Sequence, residues 1–167
     1  VIELRAATGD DTLRIAEIWG PAWRDGHLGG VPDELVRIRT PENFLVRATM
    51  IQPHTTLAVL KGTTVGFVAI AGDEIDQLFV DAGARGLGIA DLLLRAGEQQ
   101  IAAAGHTDAW LAVVATNARA RRFYERNGWG DGGAFTYETD GDGGTLEVPC
   151  HRYVKRLVPR RVEGTSL

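Results

Sequence analysis

The 167-residue chain carries 18 Lys plus Arg against 22 Asp plus Glu, a formal charge of −4 without a basic block, which argues against a footprint on nucleic acid or an anionic membrane. Its length suits one ordinary domain with one core, able to bury about two-thirds of its unfolded surface without metal or disulfide support. The lone Cys150 excludes an intramolecular disulfide, and no apolar run approaches the roughly 18 residues of a membrane span; Ile2, Glu3, Leu4 and Arg5 do not read as a targeting leader, so the cytoplasm is the expected compartment.

Ile2 to Ala6 reads as a first strand, and Thr8 to Asp11 as caps for a helix whose apolar set includes Ile15, Trp19, Ala22 and Trp23. Gly20-Pro21 is expected to kink or split that helix. Between Asp25 and Met50 the pattern is irregular; Gly29-Gly30 reads as a loop, and Pro32 and Pro41 suit the first positions of two short helices. Leu57 to Leu60 and Val65 to Ile70 flank Lys61-Gly62-Thr63 as a hairpin, and Ile75 to Val80 forms a further strand. Ile89, Leu92, Leu93, Ala96, Gly97, Ile101 and Ala104 recur at helical spacing, with Gly105 as the stop. Ala109 to Val114 reads as a buried strand parallel to the preceding one, reached by a crossover helix. A helix over Ala118 to Arg126 follows, then a hairpin of Ala134 to Thr139 and Thr145 to Val154. The expected organisation is a single domain over 1–157 and a mobile tail over 158–167.

The segment from Glu74 to Leu93 is the most informative, because a strand ends in an Arg- and Gly-rich turn that opens directly into a helix. The N–H groups of Arg85, Gly86, Leu87, Gly88, Ile89 and Ala90 lie in that turn and first helical residues, where they lack intrahelical partners at the positive end of the helix dipole and suit an anion such as a pyrophosphate. A P-loop would end in Gly-Lys-Ser/Thr, and a dinucleotide fold would show G-x-G-x-x-G in an alternating parallel sheet; the turn has neither. A Gly-containing helix start with no ligand is the plain alternative.

Arg85, Gly88 and Ala90 match the pattern Arg/Gln-x-x-Gly-x-Gly/Ala, and Asn117, Ala120, Phe123, Tyr124, Gly128 and Trp129 match Asn-x-x-Ala-x-x-Phe-Tyr-x-x-x-Gly-aromatic. On these two segments the chain resembles the GCN5-related N-acetyltransferases (GNAT), which acetylate amines with acetyl-coenzyme A, and the element order over residues 2 to 155 follows the family plan. The resemblance implies an α/β fold with a mixed, mostly antiparallel seven-stranded sheet flanked by helices. It implies an acetyl-CoA-dependent N-acetyltransferase that moves acetyl directly to an amine of a small molecule or peptide, without a metal; the alternative is a non-catalytic acyl-CoA-binding module. A homodimer is common among relatives.

The same resemblance assigns roles. A kink or bulge in the fourth strand frees backbone groups at Leu78, Phe79 and Val80 for the cofactor arm, and a freed N–H of Phe79 or Val80 faces the oxyanion. The pyrophosphate falls to Arg85 through Ala90, and Asn117 bonds the cofactor arm, caps its helix, or does both. Arg119, Arg121 and Arg122 either reach the 3′-phosphate or form a solvated helix face, the latter being favoured. Tyr124 sits where the family places the acid for the departing thiolate; a phenol of pKa about 10 stays protonated at neutral pH, and a core tyrosine is the competing reading. Glu74 holds the place of the base and alternates onto one strand face with Asp76 and Leu78, yet Asp76, a histidine or a water chain remain open as the base. The four histidines lack metal-ligand spacing; His27 and Glu34 are the ones singled out for substrate contact, and Cys150 with His151 forms no nucleophile pair. Acidic Asp25, Asp33, Glu34 and Glu42 would suit an amine, and acceptor identity is left open.

Overall fold

The computed structural model describes residues 1–157; the segment 158–167, expected as a mobile tail, lies outside the described residues. The elements are β1 (Ile2–Ala6), α1 (Thr12–His27), α2 (Asp33–Ile38), α3 (Pro41–Ile51), β2 (Thr55–Leu60), β3 (Thr63–Ala71), β4 (Glu74–Val80), α4 (Ile89–Ala103), β5 (Asp108–Val114), α5 (Ala118–Arg126), β6 (Gly130–Gly141) and β7 (Gly144–Arg156). The strands form one seven-stranded sheet in the order β1-β2-β3-β4-β5-β7-β6. Neighbours pair antiparallel except β4 and β5, which run parallel because α4 carries the chain across one face between them. The expected sheet is therefore the one observed. No helix among the described residues is long and apolar enough to cross a membrane.

The sheet divides the apolar interior into two clusters, where one core had been expected. Successive strand residues point to opposite faces, so Phe67 packs towards α1 while its neighbour Val68 packs towards α4. On the α4 side Ile89, Leu93, Leu94 and Ile101, all at most 1 % exposed, cover Val68, Ile75 and Leu111. On the other side Trp19 meets Phe44, Phe67 and Phe79 at ring-centroid distances of 5.5, 5.8 and 6.3 Å.

α1 is not split at Gly20-Pro21 but runs unbroken from Thr12 to His27 with Pro21 inside it. Ile15, Ile18, Trp19 and Trp23 are buried on both sides of the proline, and their packing outweighs the lost hydrogen bond. Thr40 caps α3 through its side chain, which accepts from the Asn43 N–H, and Pro41 takes the first helical position as expected; Pro32 instead sits one residue outside α2.

Gly97 lets α4 lie close on the sheet. A Cβ built there would stand 2.7 Å from Ile75 Cδ1 and 3.3 Å from Val68 Cγ2. Gly97→Val is expected to destabilise the fold by about 1–3 kcal/mol through overpacking, read as a lower urea midpoint at unchanged m-value.

Candidate active site

The end of β4 is where the sheet opens. Ala69 pairs with Gln77 and Ile70 with Ile75, so Asp76 is an extra residue bulged out of the β3–β4 ladder. Towards β5 the only register pair is Glu74 with Trp110, whose N–H donates to the Asp73 carbonyl at 3.1 Å. Beyond it no residue of β4 has a register partner on that side among the described residues. Asp81 N–H donates to Val65 O at 2.8 Å and Phe79 pairs with Phe67, so antiparallel alternation turns the backbone groups of Phe79 towards β3. Those of Leu78 and Val80 face the opening. Of the two N–H groups expected to face an oxyanion, Val80 fits this geometry, and Phe79 is spent on the ladder.

The bulge also overturns the expectation that Glu74, Asp76 and Leu78 share a face. Inserting one residue reverses the alternation, so Ile75 and Leu78 pack towards α4 while Glu74, Asp76 and Gln77 line a cavity on the α1 side.

After β4 the chain makes one turn of 3₁₀-helix, Ala82–Ala84, and reaches the glycine turn. Gly86 and Gly88 hold φ of 81° and 76°, a left-handed conformation that side-chain-bearing residues rarely adopt, and Gly88 caps α4. The N–H groups of Gly86, Leu87 and Gly88 donate to no protein acceptor among the described residues, and those of Ile89 and Ala90 open the helix. Arg85 does not point freely at this cradle; it pairs with Asp25 of α1 at 2.8 Å.

This cradle borders a cavity of about 360 Å³ between the parted strands, walled by β4, α5 and the end of α1. Leu78, Phe79, Val80, Arg85, Gly86, Gly88, Ile89, Ala90, Asn117 and Tyr124, all singled out from the sequence, line it together; Leu87 does not, and is exposed. Asn117 caps α5, its Oδ1 accepting from Ala120 N–H at 3.2 Å, while its Nδ2 approaches Gly26 closely enough that a Cβ there would stand 2.7 Å away. Tyr124 packs against Phe123, Trp129 and Tyr153 at 5.1, 6.1 and 6.3 Å, and burial pushes its phenol above the ordinary value. Its hydroxyl has no protein hydrogen-bond partner among the described residues. Trp129, the aromatic that ends the second segment, is a core residue anchored by Nε1 to Glu98 at 3.1 Å.

The three α5 arginines separate. Arg121 is held by the Tyr153 hydroxyl, the Ala115 carbonyl and Asp131, away from the cavity. Arg119 lines the cavity, Arg122 does not, and Arg126, which the sequence reading passed over, does.

A second cavity of about 340 Å³ lies across β4 under α1, α3 and the β6–β7 hairpin. Glu74 and Asp76 form part of its floor. Burial, then the charges of Asp76 and Asp73, push the Glu74 carboxyl up to about 7, and burial also raises Asp76. Arg39, Arg47 and Tyr137 enter from other elements; burial and nearby Glu74 push the Tyr137 phenol up to about 12. The two cavities adjoin. His27 lines both, and the consecutive residues Gln77 and Leu78 line one each. His27 stacks on Trp23 at 4.6 Å, and its Nδ1 lies 2.7 Å from the Trp23 carbonyl, which can only accept, so Nδ1 carries the proton and Nε2 is left as acceptor. Burial lowers its pKa to about 4.

Of the acidic residues expected near an amine, Asp33, Glu34 and Glu42 line neither cavity and Asp25 serves Arg85; Glu138 and Asp140 of β6 take that place. Cys150 lines the second cavity as a buried thiol pushed up to about 11, while its strand neighbour His151 turns to Asp131 at 3.0 Å, so the two form no pair.

The sequence matches the family model described as "Acetyltransferase (GNAT) family" over residues 13–129. Among solved structures, a GCN5-related N-acetyltransferase from Rhodopseudomonas palustris superposes with a TM-score of 0.74 at 22 % identity, over 93 % of this chain and 95 % of that one. The PaiA N-acetyltransferase of Thermoplasma acidophilum, in complex with coenzyme A, gives 0.66 at 21 % identity over 93 % and 99 %. A phosphinothricin acetyltransferase from Sinorhizobium meliloti, in complex with acetyl-CoA, gives 0.68 at 18 % identity over 99 % and 91 %. A search of curated proteins found no match.

Proposed function

The chain belongs to the GNAT acetyltransferase family, and from that premise we propose that it is an acetyl-CoA-dependent N-acetyltransferase that passes acetyl directly to an amine. The observation that carries this reading is the meeting of two cavities at the bulged end of β4, one bordered by unpaired backbone donors and the other by a carboxyl of pKa about 7.

The residues fit coenzyme A. Free N–H groups at Gly86, Leu87 and Gly88 suit a pyrophosphate, the outward backbone of Leu78 and Val80 suits an amide arm, and the largely apolar cleft beside Ala120 and Phe123 suits the chain between them. Acetyl-CoA supplies an activated thioester. Glu74 takes the proton that the amine must lose before it can attack, and a water is the natural bridge to it. The Val80 N–H stabilises charge that develops on the carbonyl oxygen, and the Tyr124 hydroxyl protonates the departing sulfur. Asn117 holds the α5 end of the cleft through its cap.

Calorimetry with acetyl-CoA, paired with thiol release across a broad amine panel, tests the proposal. Binding with turnover supports it. Binding without turnover of any amine favours an acyl-CoA-binding module instead, and the absence of both signals overturns both readings. Gly88→Val is expected to weaken acetyl-CoA binding at least about tenfold and to cost about 1–3 kcal/mol of stability, because a β-branched residue is strained at φ of 76° and its side chain covers the cradle. Leu87→Ala, at an exposed site, is the control expected to keep both.

A further inference from the structure

The cavity on the α1 side holds two guanidinium groups without an ion-pair partner among the described residues. Arg39 is 3 % exposed, yet its two hydrogen bonds go to neutral oxygens, Asn43 Oδ1 at 3.2 Å and Thr139 Oγ1 at 3.0 Å, and its Nε has no partner among the described residues. Arg47 makes no hydrogen bond among the described residues; its guanidinium lies over the Trp19 ring at 5.1 Å and its buried Nε is also without a partner. No carboxylate comes within 4.0 Å of either arginine among the described residues. The Trp19 indole N–H, from a side chain 1 % exposed, is a third donor in the same wall with no acceptor.

Buried guanidinium groups are costly unless an anion meets them, and a planar guanidinium is shaped to take carboxylate or phosphate oxygens in pairs. Burial holds both below the ordinary arginine value, and the charge of Arg47 lowers Arg39 further. Four carboxylates line the cavity, Glu74 and Asp76 on β4 and Glu138 and Asp140 on β6 either side of Thr139; Asp140 attracts both arginines but forms an ion pair with neither among the described residues. Asp76 attracts Arg47 only from a distance, and its carboxyl stays raised by burial despite that attraction. Cationic donors thus enter the cavity from α3 and the segment after α2, with Glu138 and Asp140 of β6 beside Thr139 and with Glu74 and Asp76 on β4.

We propose that the acceptor is an amine that also carries an anionic group, an amino-acid-type zwitterion whose acid is held by Arg39 and Arg47 while its amino group faces Glu74. The inference rests on the acetyltransferase reading and names the substrate class of that same site. A polyamine or a simple alkylamine can meet the carboxylates of the cavity but leaves both guanidinium groups without an anion. A carboxylate and a phosphonate answer the donors equally well, so both acids belong to the class.

Thiol release from acetyl-CoA by the full chain separates these acceptors. Free amino acids, their aminophosphonate counterparts, their carboxamides, the decarboxylated amines and spermidine form the panel. The expected result is a kcat/KM at least about tenfold higher for one or more acids than for the matching carboxamide and amine. Arg47→Gln is expected to raise KM for that acid about tenfold or more with kcat nearly kept, to leave the carboxamide unchanged, and to leave acetyl-CoA affinity by calorimetry unchanged, which also reports on folding. Arg47→Lys is expected to recover part of the affinity. Because Arg39 is fully enclosed, Arg39→Gln serves as a second variant only where its acetyl-CoA binding is intact. Preference of the wild-type protein for spermidine or neutral amines overturns this inference while leaving the acetyltransferase reading in place, as does an Arg47→Gln variant that weakens acid and carboxamide alike. Silence towards the whole panel overturns both.

Discussion

Tyr124→Phe is expected to lower kcat by about 10²- to 10⁴-fold while acetyl-CoA affinity changes by no more than about threefold. Tyr124 lines the cleft and its hydroxyl has no protein partner among the described residues, so its loss leaves no buried group unsatisfied, and the ring keeps its contacts with Phe123, Trp129 and Tyr153. Burial raises the phenol pKa, so the group stays protonated throughout the working range and can give its proton only as charge builds on sulfur. Binding needs no such transfer, and for that reason the rate and the affinity should separate. Stopped-flow thiol release and calorimetry on the same preparation measure the two. An unchanged kcat would make Tyr124 a packing residue, and a large loss of affinity would make it a binding one.

Glu74→Gln is expected to cost about 10²-fold or more in kcat/KM above pH 8 and to abolish a single-proton limb centred near pH 7. The wild-type rate should rise with pH through that value because the base works only when ionised. Stability carries the opposite sign. The folded pKa of Glu74 lies above its ordinary value, so the folded protein holds this proton more tightly than the unfolded chain, and stability is lost as pH rises from about 4.5 through 7. Removing the charge therefore helps. The variant should be more stable than wild type by about 1–2 kcal/mol above pH 7, after allowance for partial exposure, and equal to it near pH 4. His27 gives no competing limb there, since its proton is lost near pH 4. A single-proton limb that survives in Glu74→Gln would move the base to another group, with Asp76, the other raised carboxyl on the same floor, the first to be replaced in turn.

The cavity beside the glycine turn, the proposed cofactor side, was legible in the sequence because its signals are local. Arg85 to Ala90 and Asn117 to Trp129 each lie within one turn or one helix, where residue type and spacing decide backbone shape. Gly86 and Gly88 adopt left-handed φ as the glycine pattern implies, and Asn117 caps α5 as its place before the helix implies. Arg85 was readable as a residue but not as a contact, since its partner Asp25 stands 60 positions away in sequence.

The acceptor side was not legible. Arg39, Arg47, Tyr137 and Glu74 come from four separate segments, and nothing in the local sequence around either arginine marks it as buried. The nearby acidic residues that composition suggested, Asp33, Glu34 and Glu42, turn out to line neither cavity. A bulge was expected at Leu78 to Val80 as a family feature of the strand; the register with β3 puts the extra residue at Asp76 and sends Leu78 to the opposite face from Glu74.

By itself, then, the sequence determined the order of elements, the glycine turn at the start of α4 and the placing of Tyr124 on α5, because short-range spacing and backbone preference are written residue by residue. Only the tertiary structure decided which backbone groups of β4 are free, that His27 joins two cavities, and that two arginines without carboxylate partners face a raised Glu74 carboxyl across one of them. These depend on strand register and on helices packing from distant parts of the chain. Burial and pairing, which set a side chain's charge and its need for a partner, exist only once those parts meet.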